Sequence, residues 1–188
     1  MNTGIYIIPG ILMLIALWGV FGYNRLVSLK NQVQNGWQQI DVQLKRRHDL
    51  IPNLVNAVKG SMNFEKETLE KVIQARNAAA SATGVKDAAE KEGVLTAALS
   101  KLFALVENYP QLKSTDTVRN LMEELTSTEN KVGFARQFYN DIATKFNISR
   151  EVFPSNIVAT IFGFARAELF EITDAAEREV PKVDLSLK

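Results

Sequence analysis

The sequence predicts an all-α protein: an N-terminal single transmembrane helix followed by an elongated antiparallel helical bundle of three to four long helices plus short C-terminal helices. Three observations carry that expectation. Residues 1–24 contain no charged side chain, and Gly4 to Tyr23 form a nearly continuous apolar stretch that ends just before Arg25. Downstream, apolar residues recur in steps of three and four, the mark of helices with one buried face. Proline and glycine are scarce, five and ten in 188 residues, and Gly4, Gly10 and Gly19 fall inside the apolar stretch, where they are better tolerated.

The first element is the span. About 20 helical residues rise about 30 Å, the thickness of a bilayer's hydrocarbon core, so the lipid bilayer is the expected partner of residues 4–23. A cleaved secretory signal fits less well, because Asn2-Thr3 supplies no basic n-region and the exit, Trp18 to Tyr23, lacks a small-residue cleavage site. A lipoprotein signal is excluded by the absence of cysteine. Pro9 can kink the span without breaking it, and Trp18 and Tyr23 suit the interfacial aromatic belt. Arg25, Lys30 and the Lys45-Arg46-Arg47 cluster follow the span while nothing basic precedes it. The N-terminus is therefore expected outside and the C-terminal domain in the cytoplasm.

From Tyr23 the seam Leu26, Val33, Trp37, Ile40, Leu44, Ile51, Leu54 and Val58 keeps a heptad-like spacing with no turn signal after the span. One helix to about residue 59 is expected, with a kink or break near residue 50 because Pro52 removes a hydrogen bond and disfavours helical geometry at Ile51. Gly60-Ser61 ends it. A second helix from about Asn63 to Ala82 carries Phe64, Leu69, Val72, Ile73 and Arg76. Residues 78–84, AAASATG, are a helix end or a corner, so the second helix and the third (Ala88, Ala89, Leu95, Ala98, Leu99, Leu102, Phe103, Val106) are either separate or one helix broken near Gly84. Tyr109-Pro110 stops the third.

Ser114, Thr115 and Asp116 offer N-caps to a helix of about 30 residues with the seam Val118, Leu121, Leu125, Thr128, Val132, Ala135, Tyr139, Ile142 and Phe146. Phe153-Pro154-Ser155-Asn156 is a turn signal. The apolar run Ile157–Phe164 that follows is too short to cross a bilayer; it packs as a short helix against the bundle or stands as an exposed patch for a partner. Ala165–Val180 reads as a last amphipathic helix. The domain plan is thus an anchor over 1–24, a bundle over 25–180 and a flexible tail over 181–188.

Chemistry is thinly represented. Lys plus Arg number 22 against 21 Asp plus Glu, a net charge of +1, which argues against nucleic acid as a partner. The single histidine, His48, sits in Lys45-Arg46-Arg47-His48-Asp49, and with Asp49 it is the one cluster that could serve a ligand-binding or hydrolytic site; no serine or cysteine nucleophile pairs with it. No metal or other cofactor is expected, because the chain has neither ligand sets nor a phosphate-binding loop. Glu65, Lys66, Glu67 and Glu70 read as a solvated helix face, and Asn147-Ile148-Ser149 as a chance glycosylation match. The seam turns Arg47 inward, where a guanidinium needs a carboxylate; Glu124, Glu129 and Glu168 are candidates, and the other reading leaves the head of Arg47 in water at the bundle's edge.

The strings YNRLVSLKNQVQNGWQQIDVQLKRRHDLIPNLVNAVKG, ENYPQLKS, STENKVGFARQFYN and FPSNIVATIFGF, in this order after one N-terminal span, resemble the LemA family over nearly the whole chain. One departure is Gly60–Glu65, GSMNFE, where an aromatic and a histidine would be expected. The resemblance implies a bacterial-type, membrane-anchored helical bundle without an established enzymatic activity, and hence no catalytic residues to carry over. It marks motif positions as structural or interaction residues: Trp37, Asp41, Arg46, Arg47, His48, Asp49, Pro52 and Asn53; Tyr109, Pro110, Glu129, Asn130, Arg136, Tyr139 and Asn140; and Phe153, Pro154, Ser155 and Asn156. The function expected is a non-enzymatic interaction or scaffold module, with membrane remodelling or lipid binding as the alternative. Other membrane proteins are candidate partners, and the stalk seam could pair with a second copy.

Overall fold

A computed structural model describes residues 4–60 and 66–171, and the described residues form helices without a strand. The elements are α1 (Gly4–Lys59), α2 (Lys66–Ala80), α3 (Gly84–Glu107), α4 (Pro110–Lys113), α5 (Asp116–Glu151) and α6 (Ser155–Ile161). They fall into two compact units: residues up to Arg47 with Leu125–Leu169, and His48–Glu124 with Phe170. Helices α1 and α5 each contribute to both units, the result of seams that run on without a turn signal.

In the first unit α1 and α5 run antiparallel. The register is legible from contacts that fall along α5 as they climb α1: Leu26 shares a core with Phe146, Gly36 meets Tyr139, and Arg47 meets Glu129. Gly36 faces the backbone of Tyr139, where a Cβ would lie 3.4 Å from the Tyr139 Cα. Trp37 packs edge-on to Tyr139 with ring centroids 5.9 Å apart. At the other end Leu26, Phe146, Val158 and Ala159 form a small core flanked by Leu29, Val33, Phe164 and Ala167. The large apolar side chains from Ile8 to Phe21 stand outside any core, all exposed.

In the second unit the C-terminal part of α1 packs with α2 and α3 around Ile51, Leu54, Val58, Leu69, Val72, Leu95, Leu102 and Val106. The corner between α2 and α3 is made by Gly84 at φ +82°, a left-handed conformation natural to glycine, with Thr83 as the preceding extended cap. The carboxylate of Asp87 accepts from the Thr83 backbone N–H at 2.8 Å. Pro110 occupies the first turn of α4, where its missing N–H leaves no helical bond unmade.

Two expectations change and one open alternative is resolved. No break occurs near residue 50, because α1 stays helical through Pro52 to Lys59. Helices α2 and α3 are separate elements rather than one long helix. Phe164–Glu171 has no helical structure, although a helix was expected from Ala165: Tyr139, Asn147 and Arg150 on α5 bind its backbone carbonyls and so take the place of helical donors. The apolar run 157–164 satisfies both earlier readings in part, since Val158 and Ala159 are buried while Ile157, Ile161 and Phe162 are exposed. Phe64 and Glu65, the rest of the last helix, and the tail over 181–188 lie outside the described residues.

Candidate functional site

Pro52 has no N–H, so the carbonyl four residues earlier, that of His48, loses its helical donor. Arg76 on α2 supplies another: its Nε donates to the His48 carbonyl at 3.0 Å. The same histidine closes on a third helix, its Nε2 lying 2.6 Å from Oε1 of Glu92 on α3. Both side chains are almost fully buried. Arg76, His48 and Glu92 therefore tie three helices at one point, and α1 can carry Pro52 because the freed carbonyl is satisfied. The Nε2–H donates to the carboxylate when Glu92 is ionised. Asp49, paired with His48 in the sequence reading, is exposed and has no part in this tie.

Among the described residues Arg47 is the largest fully buried side chain, at 1% exposure. Of the three acids expected to meet it, Glu129 does, through an ion pair between Nη1 and Oε2. Burial lowers the pKa of Arg47 from its ordinary value, while the charge of Glu129 and its hydrogen bond pull the other way. The guanidinium stays charged, as arginine does in proteins.

The other motif positions are distributed around these centres. Trp37 and Tyr139 pack together, and the Tyr139 hydroxyl donates to the Glu168 carbonyl at 2.7 Å. Tyr109 caps α4, its carbonyl accepting from Leu112 and Lys113. Asp41, Asn53, Asn130 and Asn156 are exposed, as is Arg46, while Arg136 and Asn140 are half-buried. Among the described residues no group of three or more His, Cys, Asp or Glu side chains could hold a metal ion. Glu67 and Glu70 lie on an exposed face, where Lys71 holds the Glu67 carboxyl below its ordinary value through a hydrogen bond and its charge.

Several residues that matter were not singled out from the sequence. Glu92 sits among the apolar positions of α3 between Ala88, Ala89 and Leu95, and a lone carboxylate on a buried stripe was the available signal. Asn147 reads as part of a chance sequon, yet its Nδ2 donates to the Ala167 carbonyl and its Oδ1 accepts from the Ala167 N–H, both at 2.9 Å. That two-way amide contact copies a backbone pairing and holds the extended segment on α5. Arg150 adds a bond from Nε to the Phe164 carbonyl at 2.8 Å.

Two outward-facing apolar regions of the first unit stand out among the described residues. Val42 on α1 and Phe134 and Phe138 on α5 line an open groove of about 740 Å³, with Asn35, Gln38, Gln39, Gln43 and Lys131 at its sides. Phe134 is 74% exposed. The Gln43 Oε1 is buried without a hydrogen-bond partner among the described residues. The second region, around α6, adjoins the end of the apolar part of α1.

An all-helical body on a helix whose exposed apolar stretch is long enough to cross a bilayer defines an all-α, membrane-associated protein. The sequence pattern of the LemA family matches residues 36–185, and the chain belongs to that family. It is 27% identical to "Protein LemA" of Metamycoplasma hominis over 190 residues, covering 97% of this chain and 84% of that one. It is 26% identical to "Magnetosome protein MamQ 2" of Paramagnetospirillum magneticum over 184 residues, covering 84% and 68%. "Magnetosome protein MamQ" of Magnetospirillum gryphiswaldense is 23% identical over the same shares.

Proposed function

We propose that this chain is a non-enzymatic, single-pass membrane protein whose cytoplasmic helical body is an interaction module. The observation that supports this reading is the groove of Val42, Phe134 and Phe138. Phe134 and Phe138 leave much of their apolar surface in water, and an apolar floor rimmed by amides resembles the core-and-rim arrangement of protein interfaces. The ionisable groups in the two buried centres are meanwhile engaged with one another: Glu129 takes the charge of Arg47, and Glu92 takes the imidazole of His48. A hydrolytic site at His48 and Asp49 has less support, because the two side chains do not converge.

Photocrosslinking in intact membranes tests the module. A photoreactive residue at Phe134 or Phe138 of the full chain is expected to give discrete crosslinked species above the monomer. The same residue at exposed Glu107 is expected to give none. Crosslinks at neither phenylalanine, with the protein present in the membrane, would overturn the reading. A species of twice the monomer mass would identify a second copy as the partner.

A further inference from the structure

The segment from Val152 to Ala165, VFPSNIVATIFGFA, contains no charged side chain and is bracketed by Arg150, Glu151 and Arg166. It folds back onto the end of the apolar stretch of α1. Phe162 packs on Tyr23 with ring centroids 4.6 Å apart, and Phe164 packs on the same ring at 5.9 Å. Gly22 lies against α6, where a Cβ would be 3.6 Å from Cγ2 of Val158. Tyr23 is also the last apolar residue before Asn24 and Arg25, so these contacts set α6 at the level where α1 leaves the hydrocarbon.

At that level α6 presents two faces. Val158 and Ala159 are buried with Leu26 and Phe146. Ile157 and Ile161, one turn apart, are exposed together with Phe153 and Phe162, Phe153 by 80% and Ile161 by 71%. Hydrogen bonds from Arg150 to the Phe164 carbonyl and between Asn147 and Ala167 fix the segment that follows, so the exposed side chains belong to a held element.

We propose that this edge is a second membrane contact: Phe153, Ile157, Ile161 and Phe162 enter the interfacial layer of the leaflet from which α1 emerges. The occupant is lipid because the patch is continuous with the apolar stretch of α1, lies beside its last turn and carries no charge. Aromatic and branched side chains at this depth suit the headgroup and acyl boundary. The chain would then be held at two adjoining points, which fixes the rotation of α1 about its own axis. This inference rests on the reading of α1 as a span.

The absence of cysteine gives a direct test, because one introduced cysteine is a unique labelling site. The full chain is reconstituted in phosphatidylcholine–phosphatidylglycerol vesicles with an environment-sensitive fluorophore at Ile161→Cys, or at Phe153→Cys as a second position. References are Leu14→Cys in the span and Asp41→Cys, about 27 Å further along α1 than Tyr23 at 1.5 Å per residue. Blue-shifted emission and quenching by lipids spin-labelled near the headgroup are expected at 161 and 153 and not at 41, with position 14 reporting the hydrocarbon. Quenching at 14 with unshifted, unquenched emission at both 161 and 153 would overturn the second contact and leave the span intact. A blue shift at 161 without lipid quenching would overturn it in favour of a second copy on this edge. Loss of the lipid signal at 14 would remove the span and, with it, this proposal.

Discussion

Arg76 donates to the carbonyl of His48, the one carbonyl in α1 that Pro52 deprives of its helical donor. A proline that breaks most helices is thus accommodated by a side chain from a neighbouring helix. The two residues form a compensating pair, and that makes a test possible.

Replacing Arg76 by Ala is expected to cost about 1–3 kcal/mol, the range for leaving a buried acceptor without its charged donor. In a Pro52→Ala background residue 52 regains an N–H and takes the His48 carbonyl, so the same replacement is expected to cost less. A coupling of about 1 kcal/mol is anticipated from thermal or chemical unfolding of all four chains in detergent. Additive costs would refute the compensation.

Glu129→Ala leaves the buried guanidinium of Arg47 with less compensation and is expected to destabilise the first unit by about 1–3 kcal/mol, below the scale for broken fully buried pairs because Glu129 is itself half-exposed. The double variant Arg47→Met with Glu129→Leu removes the desolvation cost as well. It is expected to recover much of the loss, as measured by unfolding midpoint in the same detergent.

Gly36 faces the backbone of Tyr139 at a distance that admits a methyl group and nothing larger. Gly36→Ala is expected to stabilise the chain by up to about 1 kcal/mol through helix propensity. Gly36→Leu forces α1 from α5 and is expected to cost about 1–3 kcal/mol. If both variants melt with the parent chain, the close approach of the helices is wrong.

Burial, and next the charge of Glu168, raise the pKa of Tyr139 above its ordinary value. The unfolded chain releases this proton first, near pH 10, while the folded chain still holds it, so stability falls as pH rises from there toward the raised value. The loss is fully absent below the unfolded value. A Tyr139→Phe chain is expected to show a shallower alkaline decline, read as unfolding midpoint against pH, although it starts lower for want of the bond to Glu168.

A reporter fused after Lys188 is expected to be active only in a form that functions in the cytoplasm, given Arg25 and Lys30 beside the span and no basic residue before it. Activity of an exported reporter instead would reverse the orientation and move every proposed partner to the other side.

The helices were written in the sequence because their apolar seams have the helical period, and that signal is local. The α5 seam from Val118 to Phe146 was read position by position, and each member is buried or half-buried in the structure. Family membership was legible too, from several uncommon strings in order. Spacing turned Arg47 toward the seam, since a helix fixes which face a residue occupies, but a long side chain there can end inside or in water at the edge, and only packing decided that it is buried. Its acid could not be chosen among three, because a partner on another helix depends on register between elements.

Tertiary structure decided the points where one element supplies what another lacks. Proline rules describe an isolated helix and so predicted a kink or break near residue 50; the helix runs on through Pro52, with the guanidinium of Arg76 on α2 serving the freed carbonyl. The stretch after Gly163 has the composition of a helix, yet Tyr139, Asn147 and Arg150 bind its carbonyls and keep at least Phe164–Glu171 out of one. Hydrophobic period is a property of neighbours along the chain and fixes helices and faces; the hydrogen bonds that settle a kink, a pairing or an extended segment join residues far apart in sequence, and only the packed arrangement brings those groups within reach.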